Sequence, residues 1–461
     1  MLEAIVSAKR VELAARQAAR PIASLFAAAT ATDRNFVAAL SDPSPAFIFE
    51  VKPRSPSGGP LRDAADIGPV VAAYRRHANA ISVLTDEPFF GGSWALLSAV
   101  RRSVPQPVLC KDFILDPYQV VEARVHGADA VLLMLSILDD DRYRACAAAA
   151  TDLQMGILTE VHTAVEMARA RALGAQVIGI NNRRLTDLSI DLATTDALAP
   201  QAPDDAILLA ESGIGHHRDV ARFRSKVDGF LVGAALMTAP DPSRAARELI
   251  FGPTKVCGLT RGEDAEIAAD LGATHGGIIF APQSPRRVSP TVAASVRSTN
   301  ALAWTGVFVD QPARTVAERA RTLDLSAVQL HGDEDDEYLA TLRDCLPAGT
   351  EIWKAARIRD RIPAVPATRA DRVVLDGYLA GVPGGTGRRF DWSLLDSLPD
   401  PDRYLLGGGL DPTTAAAAQE TGVRFLDVNS GVEQAPGHKD PTRLAAFFTA
   451  RRAARRTIPC E

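Results

Sequence analysis

The sequence predicts an α/β fold of two consecutive (β/α)8 barrels, the first with an N-terminal helical extension. Three observations carry this expectation. Short β-rich apolar runs recur along the whole chain, each followed by a longer Ala/Leu/Arg segment of helical character. Successive runs start about 20 to 34 residues apart, which suits strand–loop–helix–loop units and a parallel sheet. Each half of the chain holds eight such runs. Eight units close a barrel, whereas open doubly wound sheets more often stop at about five to seven strands.

In the first half the strands fall at AFIFEVK (46–52), AISVL (80–84), PVLCK (107–111), ADAVLLM (128–134), MGILTE (155–160), QVIGIN (176–181), ILLAE (207–211) and DGFLVG (228–233). The second half places them at TKVCG (254–258), GGIIF (276–280), GVFVD (306–310), AVQL (327–330), EIWKA (351–355), DRVVLD (371–376), RYLLG (403–407) and VRFLDV (423–428). Residues 1–45 precede the first strand and read as extra helices, on which Arg10, Arg16 and Arg20 are expected to be solvated. Near 250–254 the helical SRAARELIF runs into GPTKV, which gives domains 1–252 and 253–461. No Gly/Ser- or Pro-rich stretch lies between them, so the sequence predicts close packing rather than a loose tether. The tail ARRAARR (450–456) reads as the last turn of a helix, where cations complement the dipole.

Composition excludes several classes. The 461 residues are 47% hydrophobic and 23% charged, ample for a buried core. With 51 Lys+Arg against 56 Asp+Glu and no long basic run, neither nucleic acid nor an anionic membrane is an expected partner. The cysteines Cys110, Cys146, Cys257, Cys345 and Cys460 are odd in number and form no C-x-x-C, which argues against a disulfide framework or a zinc knuckle. The start MLEAIVSAKRVELAARQAAR lacks the apolar run of a signal peptide. No apolar stretch reaches the ~20 residues that span a bilayer. The expectation is a cytoplasmic protein with reduced thiols.

Charge concentrates at the C-terminal ends of the first-half strands, where a barrel's active site lies. Glu50 and Lys52 are two apart and share a face with Ile48, so the inward row changes from apolar to charged at the mouth. The third strand ends in Lys111 and Asp112, the fifth in Glu160, the sixth in Asn181 and Arg183, the seventh in Glu211. Any one of these could be a rim salt bridge; so many strand ends loaded together point to a site. Three glutamates and two lysines around one mouth supply acid and base. The loops ESGIG (211–215) and VGAAL (232–236) follow strands seven and eight, where small residues let backbone N–H groups approach a phosphate. The residues predict proton transfer on a phosphorylated, sugar-like substrate.

The order E-x-K-x-x-S-P-S, L-C-K-D-F, T-E-V-H, G-I-N-N-R, A-E-S-G-I and F-L-V-G resembles indole-3-glycerol-phosphate synthase over residues 1–250. The resemblance implies closure of the indole ring from 1-(o-carboxyphenylamino)-1-deoxyribulose 5-phosphate, with loss of carbon dioxide and water. It makes Lys111 the general acid and Glu160 its helper in dehydration, with Glu50, Lys52, Asn181 and Glu211 completing the set. Ser55, Arg183, Ser212, Gly213, Gly233 and Ala234 match substrate and phosphate contacts, Ala234 departing from a frequent Ser. Phe89, Phe90 and Phe113 are candidates either to stack on the anthranilate ring or to pack the core.

In the second half KVCGLTR puts Cys257 at the end of a first strand. A buried structural thiol and a catalytic one are both open readings of an isolated Cys. Asp376 ends the sixth strand, across the mouth from the first, and GVPGGTG (381–387) and FDW (390–392) follow it. GGTG lacks the spacing of a dinucleotide fingerprint. GGGLDP (407–412) and NSGVE (429–433) again follow strands seven and eight. These segments, with F-A-P-Q-S-P-R and Q-L-H-G-D-E, resemble phosphoribosylanthranilate isomerase over about 253–461. The resemblance implies an Amadori rearrangement of N-(5-phosphoribosyl)anthranilate, with Asp376 protonating the ring oxygen and Cys257 taking the C2 proton. Arg286 matches a contact to the anthranilate carboxylate, though Gln283 and Ala281 depart from the usual Lys and larger residue. Gly385, Gly408, Ser430 and Gly431 are candidate substrate contacts; His331 reads equally as functional or as an ordinary hydrogen-bonded histidine.

The product of the second reaction is the substrate of the first, so the resemblances together imply a bifunctional enzyme of tryptophan biosynthesis. Acid and base groups suffice for both steps, and no metal, nucleotide or organic cofactor and no obligate protein partner is expected. A pair of related sugar-phosphate isomerases would be expected to use paired aspartates instead, and a non-catalytic scaffold would have no need to retain both acid–base sets.

Overall fold

A computed structural model of the chain describes residues 1–42, 44–56, 58–63, 66–184, 187–298, 301–359, 362, 369–377 and 389–452. Contacts divide it into two compact units, one beginning at Met1 and running to Ala246, the other beginning at Arg247. The division falls inside the helix Pro242–Phe251, whose Arg247 is 2% exposed and donates to the Ala301 carbonyl.

The first unit is a closed barrel of eight parallel strands: β1 (Ala46–Val51), β2 (Ala80–Leu84), β3 (Val108–Lys111), β4 (Ala130–Met134), β5 (Gly156–Val161), β6 (Val177–Asn181), β7 (Ile207–Glu211) and β8 (Gly229–Val232). The strands pair in chain order, and β1 closes the ring by pairing with both β2 and β8. The second unit repeats the plan with β9 (Thr254–Val256), β10 (His275–Ile279), β11 (Ala303–Phe308), β12 (Ala327–Leu330), β13 (Glu351–Ile358), β14 (Arg372–Gly377), β15 (Tyr404–Leu406) and β16 (Phe425–Val428). Both predicted barrels are therefore present.

Alternation along β1 shows how the sequence builds the wall. Ile48 points inward with Leu109, Leu158 and Leu209 to fill the first barrel, while Phe47 stacks on Phe230 and Phe49 meets Tyr74 of the helix Ile67–His77. A strand buried on both faces reads as a continuous apolar run, and all six residues of β1 are buried. Helices begin at side chains that accept a first-turn N–H, among them Asn35, Asp86, Asp116, Asp139, Thr163, Ser289, Asp335 and Asp440. Each such cap contributes about 1 kcal/mol.

Three expectations need correction. The strand expected at 306–310 starts at Ala303, because Ala303 and Trp304 already pair with His275 and Gly276. The strand through TKVCG ends at Val256, so Cys257 is the first residue beyond it, its N–H still donating to the Val428 carbonyl at 2.8 Å. Residues 1–45 do carry helices, α1 (Leu2–Ala19), α2 (Ile22–Ala28) and α3 (Phe36–Leu40), but Arg16 is not solvated. Its guanidinium pairs with Glu122 at 2.8 Å and lies over the Trp94 ring, whereas Arg10 and Arg20 are exposed. At the other end the helix Pro441–Arg451 buries Arg451, which donates to the Pro253 and Arg424 carbonyls; the basic tail from 453 onward lies outside the described residues.

Candidate active sites

Within the first barrel, Glu50, Lys111, Glu160 and Glu211 stand at or near the C-terminal ends of β1, β3, β5 and β7. Alternate strands of such a barrel contribute side chains to one layer, so four odd strands place these four groups at one height. Lys111 Nζ lies 2.5 Å from Glu211 Oε2, 3.6 Å from Glu160 Oε2 and 3.8 Å from Glu50 Oε2. Lys52 Nζ reaches Glu50 Oε1 at 2.5 Å. All five line a cavity of about 350 Å³ with Ser55, Phe90, Phe113, Asn181, Arg183, Ser212, Gly213, Gly233 and Ala234. The residues expected to form one site thus do converge, apart from Phe89, which is not part of the wall.

Burial would raise the Glu50 carboxyl, but Lys52 and Lys111 outweigh it and hold the group below its usual range. Burial would lower the Lys111 ammonium; Glu211, Glu160 and Glu50 hold it above the ordinary lysine value instead. Glu211 is pushed up to about 7 by burial, with Glu160 and Glu50 adding to the rise against Lys111. The pocket therefore holds a secured cation beside a carboxyl that titrates near neutrality.

Its rim is made of tight backbone turns. Ser212 and Gly213 have φ of 63° and 80°, so two successive left-handed residues turn the chain sharply after β7. Gly233 precedes the short helix Ala234–Met237, whose first N–H groups have no partner within the helix. Ala234 offers its backbone N–H only.

Two parts of this site had no role in the sequence reading. Met1 and, from α1, Leu2 and Ile5 line the cavity. One turn past Ile5, Lys9 is buried and pairs with Asp86 and Asp112, each at 3.0 Å. The signal was a lysine at fourfold spacing between the buried Ile5 and Leu13. His162 places Nε2 3.4 Å from Glu160 Oε1, opposite Lys111; it sits in the T-E-V-H motif.

In the second barrel Cys257 and Asp376 line one cavity of about 300 Å³ with Arg286, Gln329, His331, Gly408, Asp427 and Ser430. His331 Nε2 lies 3.4 Å from Asp376 Oδ2. Burial raises the Cys257 thiol, and Lys255 beside it works the other way. Gly408 and Gly409, at φ 73° and 70°, repeat after β15 the left-handed turn seen after β7. Arg286 is held by Glu433 through Nε at 3.0 Å and Nη2 at 2.7 Å, so it meets a carboxylate of the protein itself. Gly431 is outside the wall, where a Cβ would stand 2.0 Å from the Leu410 carbonyl oxygen. Phe390 and Trp392 are core residues. Gly385 lies outside the described residues.

Two barrels, each with titratable side chains converging on a cavity in its mouth and a left-handed turn after its seventh strand, have the build of two enzymes carried on one chain. The family model for indole-3-glycerol phosphate synthase matches residues 2–249, and that for N-(5′-phosphoribosyl)anthranilate isomerase matches 254–450. The chain belongs to both families and is a bifunctional enzyme of tryptophan biosynthesis, synthase first and isomerase second. It is 48% identical to the tryptophan biosynthesis protein TrpCF of Yersinia pestis over 452 residues, 98% of this chain and 94% of that protein. The TrpCF of Salmonella typhi is 46% identical over 453 residues, 98% and 99% of the two chains. A solved phosphoribosyl anthranilate isomerase from Thermus thermophilus is 32% identical and covers 43% of this chain and 97% of its own, with a TM-score of 0.39. Among the described residues no helix is long and apolar enough to cross a membrane.

Proposed function

We propose that residues 253–461 isomerise N-(5-phosphoribosyl)anthranilate and residues 1–252 close the resulting ketose into indole-3-glycerol phosphate, in the cytoplasm and without a partner chain. In the isomerase, Asp376 protonates the furanose ring oxygen and opens the ring; Cys257, as thiolate, then removes the C2 proton. The enaminol that results tautomerises to the ketose. Both groups face one cavity, and the Gly408–Gly409 turn beside it presents backbone N–H groups to the phosphate.

In the synthase, Lys111 donates its proton to the substrate carbonyl as the aryl carbon attacks. Departure of carbon dioxide restores aromaticity, and Glu160 assists the loss of water. Glu50 and Glu211 keep the ammonium charged and aimed, Lys52 secures Glu50, and Ser55 and Asn181 stand where they can bind the sugar chain. Arg183 and the Ser212–Gly213 and Gly233–Ala234 backbones surround the phosphate end, and Phe113 with Phe90 offers an apolar face to the ring.

The observation that supports this reading most is the layer formed by Lys111 and three glutamates from alternate strands. The test is to give the purified chain N-(5-phosphoribosyl)anthranilate alone and follow indole-glycerol fluorescence. Appearance of the product requires both sites, and accumulation of the ketose would leave the synthase half of the proposal without support.

A further inference from the structure

Underneath the isomerase cavity runs a buried hydrogen-bonded chain that no step above uses. Lys255 is fully buried and does not line the cavity. Its Nζ donates to Asp427 Oδ2 at 2.7 Å and to Gln329 Oε1 at 2.6 Å. The Gln329 amide nitrogen lies 3.1 Å from His331 Nδ1, and His331 Nε2 faces Asp376. At the near end, Lys255 Cε and Cys257 Sγ crowd the same point, each 2.8 Å from where a Cβ on Gly277 would stand. The end of the Lys255 side chain thus lies beside the sulfur.

This chain has only one consistent arrangement of protons. An ammonium donates and never accepts, so Gln329 must present its oxygen to Lys255 and its NH₂ to His331. Nδ1 of His331 then accepts, and the hydrogen sits on Nε2, 3.4 Å from Asp376 Oδ2. The second demand comes from the reaction. If Cys257 is the base and Asp376 the acid, the reactive form has a thiolate beside a protonated carboxyl, the reverse of their ordinary order of about 8.5 and 3.9. That form is a small minority unless a cation stands at the sulfur, and each unit by which the thiol falls raises it about tenfold.

We propose that Lys255 is a positioning residue for both ends of the isomerase site: its ammonium favours the Cys257 thiolate, and through Gln329 it fixes the His331 tautomer that faces Asp376. Of the charges around the sulfur, Lys255 favours ionisation most, Lys439 adds to it from its pair with Glu433 at 2.8 Å, and Asp427 opposes it. The inference rests on the base and acid assigned to Cys257 and Asp376 under the proposed function.

The test is the pH dependence of Cys257 alkylation by iodoacetamide, read by mass spectrometry of its peptide, in the full chain and in Lys255→Met. The midpoint is expected to move up by about one unit or more, and the pH limb of isomerase kcat/KM that reports thiolate to move with it. Lys255→Met strands Asp427, so the double variant Lys255→Met/Asp427→Asn is measured beside it and against Asp427→Asn alone, all checked for native circular dichroism. Gln329→Leu, which keeps the Lys255–Asp427 pair, is expected to lower isomerase kcat severalfold with the alkylation midpoint unmoved. An unchanged midpoint in folded Lys255→Met, or no rise from Asp427→Asn alone to the double variant, overturns the proposal, whatever happens to the rate. Isomerase activity that survives in Cys257→Ala would instead remove the base assignment, a separate result.

Discussion

Gly179, in the middle of β6, lies directly beneath the Glu211 carboxylate: a Cβ there would stand 1.9 Å from Oε1. The absent side chain is what lets Glu211 fold toward Lys111. Gly179→Ala is therefore expected to displace the carboxylate and lengthen the 2.5 Å contact to Lys111. Misplacement of that size costs on the order of 100-fold in rate. Synthase kcat/KM should fall by about that much, while isomerase kcat/KM, assayed on the same preparation, stays within experimental error.

The proposed assignments put the chemistry of the two barrels on different groups, so their losses should be reciprocal. Lys111→Ala is expected to lower ring closure by about 10² to 10⁴-fold and leave isomerisation nearly intact. Cys257→Ala or Asp376→Asn should do the reverse. Each activity is measured with its own substrate, and circular dichroism checks the fold. A folded variant that lost both activities would contradict separate sites.

Lys9 gives a stability prediction. It is 2% exposed and sits between Asp86 and Asp112, which are 1% and 4% exposed. Lys9→Met leaves two buried carboxylates without their cation, a change that costs about 3 to 5 kcal/mol. Asp86 caps the helix Glu87–Phe90, and Asp112 adjoins Lys111, so the synthase KM should rise as well. Urea denaturation followed by loss of synthase activity reads the first effect. The triple variant Lys9→Met/Asp86→Asn/Asp112→Asn should recover much of the stability, because it removes the stranded charges.

What the sequence made legible was whatever depends on local order. The apolar runs and their spacing determine both barrels, and the parity of Glu50 and Lys52 on β1 places them at the mouth. Groups whose meaning lies in a distant partner stayed hidden. Arg16 looks solvated until Glu122, 106 positions away, is beside it. Lys255 reads as one more lysine until β16 brings up Asp427, 172 positions on. Both strand glycines were visible signals of the second kind: Gly179 in VIGIN and Gly277 in GGIIF mark places where a neighbouring side chain comes close.

Glu211 is expected to make the synthase sensitive to pH near neutrality. Burial pushes its carboxyl up to about 7, with Glu160 and Glu50 adding to the rise against Lys111, while an unfolded chain holds it near the ordinary ~4.3. The folded state thus binds this proton more tightly than the unfolded one. The group's stabilising contribution is fully present below about 4.3 and is lost as the pH rises through about 7. Glu211→Gln cannot ionise and should flatten that slope in denaturation curves taken across the range. The charged form is the one that grips Lys111, so activity runs opposite to stability: synthase kcat/KM is expected to rise through about pH 7 and to lose that limb in Glu211→Gln. The carboxylates and Lys111 titrate as a coupled set, so the limb belongs to the group rather than to one residue. Isomerase activity measured in the same chain supplies the control, since a limb shared by both reactions could not arise from Glu211.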